Sequence, residues 1–247
     1  MFMEDEWNNF IDFINGKNES LKKLSQEIKY IIVAGDLVDG IGIYPNQEID
    51  LKIPLLNEQY RTAGEYFKKI PSTIKIIIAP GNHDGVRKAE PQPSLKKKYG
   101  KYFSKNVIFV SNPSLIEIDN IPILIYHGCS IDDLVSEIRN VTYQNPTSGM
   151  KEMILRRHLC PIYGKKTIIA PEEKDYMVIE KIPQILHCGH IHTLGIEKYK
   201  NITLINSGTW QRQTDFQKKV NIVPTPAKVP ILNLKNGKMC ILNFNKI

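Results

Sequence analysis

One pattern constrains the fold more than any other: four times, a short apolar run stops at a glycine or a polar side chain. Ile31-Ile32-Val33-Ala34 runs into Gly35-Asp36-Leu37-Val38-Asp39-Gly40, and Ile74 to Ala79 runs into Pro80-Gly81-Asn82-His83-Asp84-Gly85. Ile123-Leu124-Ile125-Tyr126 leads to His127-Gly128, and Ile185-Leu186-His187-Cys188 leads to Gly189-His190-Ile191-His192. Unbroken apolar runs of this kind predict strands buried on both faces. A polar residue at the end of such a strand is delivered to the C-terminal edge of the sheet, where open α/β sheets bind their ligands.

The rest of the chain supplies covering layers. Trp7, Phe10, Ile11 and Ile14 fall at i, i+3, i+4 and i+7, which predicts an amphipathic helix ended by Gly16 and the polar run to Ser20. Asn57 to Lys69 reads as a second helix closed by Pro71, and Ile131 to Arg139 and Met150 to His158 as two more. Short strands are expected at Val107 to Val110, Leu115 to Ile118, Ile121 to Tyr126, Ile196 to Lys198, Ile202 to Ile205, Val229 to Leu232 and Met239 to Leu242. Helix-flanked buried strands followed by many short ones imply an α/β fold, a layered α/β/β/α sandwich. The expectation is one domain over residues 1–247, with Val223 to Pro230 as a surface connection inside it.

Composition narrows the class. With 42% apolar and 24% charged residues the chain has the make-up of a globular protein, and no apolar run approaches a membrane span. Met1 to Glu6 has neither the basic flank nor the apolar stretch of a signal peptide, so a cytoplasmic location is expected. The cysteines Cys129, Cys160, Cys188 and Cys240 form no CxxC pair and are expected to be reduced packing residues. A net charge of +7 suits a nucleic-acid or phosphate partner, although Lys96-Lys97-Lys98, Arg156-Arg157, Lys165-Lys166 and Lys218-Lys219 each read singly as solvated faces.

Chemistry concentrates at the four strand endings. A strand-ending Asp alone is as readily a turn residue, and a single His as readily a satisfied core residue. Asp, Asn and several His at four such endings point instead to converging ligands, with His190 and His192 set on one side of an extended segment. Oxygen and nitrogen donors without a thiolate favour manganese, iron or zinc.

In this order Gly-Asp-x-x-Asp, Gly-Asn-His-Asp, His before Gly, and Gly-His-x-His resemble the calcineurin-like metallophosphoesterases, from Ile31 to Asn206-Ser207-Gly208. The resemblance implies a phosphodiesterase with two divalent cations, manganese first, iron or zinc otherwise. Asp36 would bridge both cations, Asn82, His127 and His190 would complete the second, and His192 would serve the first. His83 would be the general acid or the scissile-phosphate contact, with Asp84 holding its ring, and Asp39 would be a ligand or orient the loop. Gly81 to Pro93, Arg156 to Gly164 and Pro224 to Pro230 further resemble the small, exonuclease subunit of archaeal D-family DNA polymerases. That implies 3′–5′ exonuclease proofreading on single-stranded or primer-terminus DNA, and a large polymerase subunit as partner. A small-molecule or protein phosphoesterase and a non-catalytic polymerase scaffold are the alternatives. Arg87 either clamps a phosphate or pairs with an acidic neighbour to hold its loop, and His158 reads as structural. The superfamily's first motif, Asp-x-His, does not occur upstream of Asp36, and Glu4 to Gly16 matches the helix that follows it. The expectation is a fragment or a shifted start, with real loss of that metal site as the alternative, lacking that strand and any upstream oligonucleotide-binding domain and leaving two sheet edges unpaired.

Overall fold

Alternation along the strands decides which layer each side chain joins. The computed structural model describes residues 2–219 and 221–246. Its first half comprises α1 (Glu4–Ile14), α2 (Lys22–Glu27), β1 (Tyr30–Ala34), α3 (Gln47–Asp50), α4 (Leu56–Lys68), β2 (Lys75–Ala79), α5 (Lys97–Gly100) and β3 (Val107–Phe109). Then follow β4 (Ser114–Ile118), β5 (Ile121–Tyr126), α6 (Ile131–Glu137), α7 (Pro146–Arg156), β6 (Ile185–Cys188), β7 (Gly195–Tyr199), β8 (Ile202–Asn206), α8 (Asp215–Lys219), β9 (Lys228–Leu232) and β10 (Met239–Asn243).

Strands β1, β2 and β3 form a parallel sheet in that order, and β4-β5-β6-β8-β7 a mixed five-stranded sheet in which β5, β6 and β8 run parallel. On β2, Ile77 and Ala79 face inward and join Ile123 and Ile125 of β5, Ile185 of β6 and Ile205 of β8 in the core between the sheets. Ile76 and Ile78 point the other way, onto Phe10, Phe13 and Ile14 of α1 and Phe67 of α4. The second sheet mirrors this: Leu124, Tyr126, Leu186 and Leu204 meet Leu134 of α6 and Met150 and Met153 of α7. The four layers are therefore helix, sheet, sheet, helix, as the patterning implied. Helix α4 shows the reason in miniature, since its buried Tyr60, Ala63, Gly64 and Phe67 recur at helical spacing.

Two expectations need correction. Strand β1 is not buried through: Ile31, Ile32 and Val33 are half-buried because β1 is an edge strand, paired to β2 alone among the described strands. Both its faces are covered, but its free edge opens the backbone flank. The proline-rich stretch is only partly a surface connection. Ala227 is fully buried, the Thr225 N–H bonds the His192 carbonyl at 2.9 Å, and Pro230 lies within β9. Strands β9 and β10 pair as a separate hairpin, fastened to α1 through Phe244, whose ring centroid lies 5.6 Å from that of Phe10. Among the described residues no helix is long and apolar enough to cross a membrane.

Candidate metal centre

Parallel pairing aligns Ala34 with Ala79, and Tyr126 with Cys188, so two strand ends from each sheet finish at one rim. The sheets meet there at very close quarters, and two glycines permit it. A Cβ on Gly35, whose φ is +93°, would land on the His127 ring and on the backbone of Gly81. A Cβ on Gly81 would collide with the Asp36 carboxylate and with His127. Just beyond Gly35 and Gly189, Asp36 (φ 55°) and His190 (φ 58°) hold left-handed backbone. That conformation costs a non-glycine residue energy and concentrates at functional sites.

Four of the expected ligands converge. Asn82 Oδ1 lies 2.9 Å from His127 Nε2 and 3.1 Å from His190 Nδ1. Asp36 Oδ2 is 3.3 Å from His127 Nε2, and Asp36 Oδ1 accepts the His83 N–H at 2.9 Å. The outer nitrogens are anchored: His127 Nδ1 donates to the Ala34 carbonyl at 2.6 Å, and His190 Nε2 lies 3.3 Å from Asp132 Oδ2. Each ring thus turns one nitrogen toward Asn82 and gives the other to a carbonyl or carboxylate, the arrangement that orients metal-binding imidazoles.

Electrostatics follow from the crowding. Burial works against ionisation of Asp36, but the neighbouring His127 and His83 overcome it and hold the carboxyl far below its usual range. Burial would likewise depress His127, yet the Asp36 charge and the Ala34 carbonyl lift it to about 9. Burial tends to raise Asp132, and His190 brings it below the ordinary value. Among the described residues Asp36 forms ion pairs with histidines alone. Two oxygen donors, one of them a carboxylate, and two imidazoles at one rim suit a divalent cation.

The remaining expected site residues stand as follows. His83 lies at the mouth, Nε2 4.0 Å from Asp36 Oδ2, with Nδ1 donating to the Asp39 carbonyl at 2.8 Å. Asp84 does not hold that ring. Its carboxylate turns inward to accept the Tyr60 hydroxyl at 2.9 Å and the N–H groups of Gly81 (2.9 Å) and Leu37 (3.3 Å). Burial and the Asp36 charge push Asp84 up to about 6. The carbonyl of Asp39 orients His83, while its own side chain is exposed. The Arg87 guanidinium is taken by Glu172 and the Pro91 carbonyl, the loop-holding reading of that residue. His192 sits beside the cluster rather than in it: the Gln217 amide reaches its Nδ1 at 2.8 Å, while Gln217 Oε1 takes the Thr214 N–H. Burial depresses His192 to about 4. His158 is structural, its Nε2 2.9 Å from Asp175 Oδ2.

Cys129, expected to pack, lies beside the cluster. His127, Cys129 and His190 bring their ligand atoms within 4.8 Å of one another, and Cys129 Sγ lies 3.7 Å from Asn82 Oδ1. Cys188 is buried in the core as expected. Sequence reasoning also passed over Asp132, Tyr60, Gln217 and the buried Glu90, whose carboxylate accepts the Tyr126 hydroxyl at 2.8 Å. Asp132 carried a faint signal, five residues after His127 at the start of a recognisable helix; the others carried none.

The four-layer sandwich and the donors at its rim define a chain of the metallophosphoesterase fold class. The chain belongs to the family of DNA polymerase alpha/epsilon B subunits, whose sequence profile matches residues 4–194. It is 49% identical over 245 residues to the DNA polymerase II small subunit of Archaeoglobus fulgidus, covering 98% of this chain and 50% of that protein. It is 52% identical over 236 residues to the DNA polymerase II small subunit of Methanocaldococcus jannaschii, covering 94% and 40%. The chain thus spans half or less of the length of these relatives. Among solved structures, one described as a novel archaeal phosphodiesterase aligns over 94% of this chain and 93% of its own, at 15% identity and a TM-score of 0.45. The resemblance to archaeal polymerase small subunits drawn from the motifs is borne out.

Proposed function

We propose that this domain is a cation-dependent phosphodiesterase that removes nucleotides from DNA 3′ ends, as the proofreading part of a polymerase small subunit that partners a large polymerase subunit. The observation that carries it is the meeting of Asp36, Asn82, His127 and His190 at one rim, drawn from strand ends of both sheets. Asp36 faces His127 and His83 at once and would bridge two cations, Asn82, His127 and His190 holding the second and His192 serving the first. Divalent cations, manganese first, would supply Lewis acidity and a water of lowered pKa. The imidazole of His83, steered by the Asp39 carbonyl, stands at the mouth where a leaving sugar oxygen needs a proton. Arg87, tied to Glu172, stiffens the loop that carries Asn82 and His83.

A single-stranded oligonucleotide labelled at its 5′ end, incubated with the protein and manganese, tests this. The expected product is a ladder shortened from the 3′ end, with release of 5′-mononucleotides, and chelation abolishes it. Hydrolysis of an aryl phosphate ester with no shortening of DNA would assign the same site to small phosphoesters. No turnover of either substrate would leave the scaffold role.

A further inference from the structure

We propose that Cys129 is a further ligand of the cation site, adding a thiolate to its imidazole, amide and carboxylate donors so that zinc-like, thiophilic cations gain more from it than manganese does. This deepens the cation-site reading above and rests on it. Strand β5 ends at Tyr126, just before His127, and Gly128 (φ +110°) then turns the chain so that Cys129 comes back toward the same cluster. Its sulfur lies 3.7 Å from Asn82 Oδ1, the atom that also sits 2.9 Å from His127 Nε2 and 3.1 Å from His190 Nδ1. Neighbouring donors in a tetrahedral zinc shell, with bonds of about 2.0–2.3 Å, stand roughly 3.3–3.8 Å apart. The ligand atoms of His127, Cys129 and His190 already lie within 4.8 Å of one another, so a small inward movement brings all three to one ion.

The surroundings favour this role over packing. Cys129 is only half-buried, unlike Cys160 and Cys188, which are sealed in the core. Its sulfur lies 3.7 Å from the Asn82 oxygen and hydrogen-bonds the buried Glu90 carboxylate, polar neighbours rather than apolar ones; burial and the carboxylates keep the thiol protonated until a cation displaces the proton. When the sulfur–cation bond forms, the S–H bond breaks and the proton leaves to solvent. A thiolate beside two imidazoles, an amide oxygen and the Asp36 carboxylate strengthens the site for zinc, cobalt or cadmium more than for manganese, which favours oxygen donors.

Anaerobic titration with cobalt, as a visible stand-in for zinc, tests the assignment. The expected spectrum has d–d bands together with a sulfur-to-cobalt charge-transfer band in the near ultraviolet. Cys129→Ser should keep the d–d bands, lose the charge-transfer band, and weaken zinc binding at least about 10-fold, with a smaller loss for manganese. The d–d bands without charge transfer in the unaltered protein, or charge transfer that persists in Cys129→Ser, would overturn the role of Cys129 and leave the cation site standing. No d–d bands at all would overturn the cation site itself. A second readout needs no variant: zinc should slow alkylation of Cys129, followed by mass spectrometry, at least about 10-fold, and manganese should not. Equal alkylation rates with and without zinc would also overturn the proposal.

Discussion

Asp36 does two jobs that can be separated by removing its charge and keeping its shape. As a carboxylate it pairs with His127 and accepts the His83 N–H. In Asp36→Asn the amide oxygen can still accept that N–H, but the negative charge that lifts His127 is gone. The His127 titration should therefore move down from about 9, visible as an earlier ring-proton shift by NMR, and divalent-cation affinity should fall on the order of 100-fold or more. Asp132 meets the cluster at His190 Nε2, so Asp132→Asn should weaken cation binding by about 10–100-fold in calorimetry without unfolding the protein. Equal affinity in Asp132→Asn and the parent would remove Asp132 from the site. The residues that meet at the rim were legible in sequence because each follows an apolar run. Cys129 was not, since a thiol within two residues of a histidine is far more often packing. Nor was the inward turn of Asp84, because its partner Tyr60 belongs to a helix far upstream and no local rule links the two.

Elements position the site through one buried polar clasp. The Tyr60 hydroxyl, fully buried in α4, donates to Asp84 at 2.9 Å and accepts the Gly85 N–H at 2.7 Å, pinning the loop after β2 to the helix behind it. Tyr60→Phe leaves both partners buried without that oxygen and should cost about 1–3 kcal/mol in urea unfolding. Because the hydroxyl holds the Asp84 pKa down, its loss should also raise that pKa above 6, and a looser loop should blur the placement of Asn82 and His83. An unchanged unfolding midpoint would show that the clasp is ornamental. Most elements were visible in the sequence: α1 and α4 through helical spacing, β2, β5 and β6 through unbroken apolar runs. Which strand would stand at an edge was not visible, because pairing is a relation between distant segments while apolarity is a property of one. The short helices α3 and α5 were missed as well, being single turns too brief to show a period.

At the scale of the whole molecule, pH acts through a histidine that the site does not use. His187 lies on β6 between Ile125 of β5 and Ile205 of β8, facing the apolar layer between the sheets, and burial alone lowers its pKa to about 4. A histidine depressed in the fold is neutral there, so its stabilisation is complete above its unfolded value near 6.5 and is lost as pH falls through 4. His192 loses stability over the same window, while Asp84, raised to about 6, and Glu90, raised by burial, gain it, since each binds its proton more tightly folded than unfolded. The four oppose one another, and the parent's acid limb should be shallow. Comparing the parent with His187→Leu isolates the one group, because the others titrate in both. With a chelator present to keep cations out, the stability of the variant relative to the parent should rise as pH falls from 7 to 4, by at most roughly 3 kcal/mol. Between pH 7 and 8 the difference should be flat, His187 being neutral in both states there. A difference that stays constant from pH 7 to 4 would mean that His187 is solvated as folded, and that the layer between the sheets is wetter than its isoleucines imply.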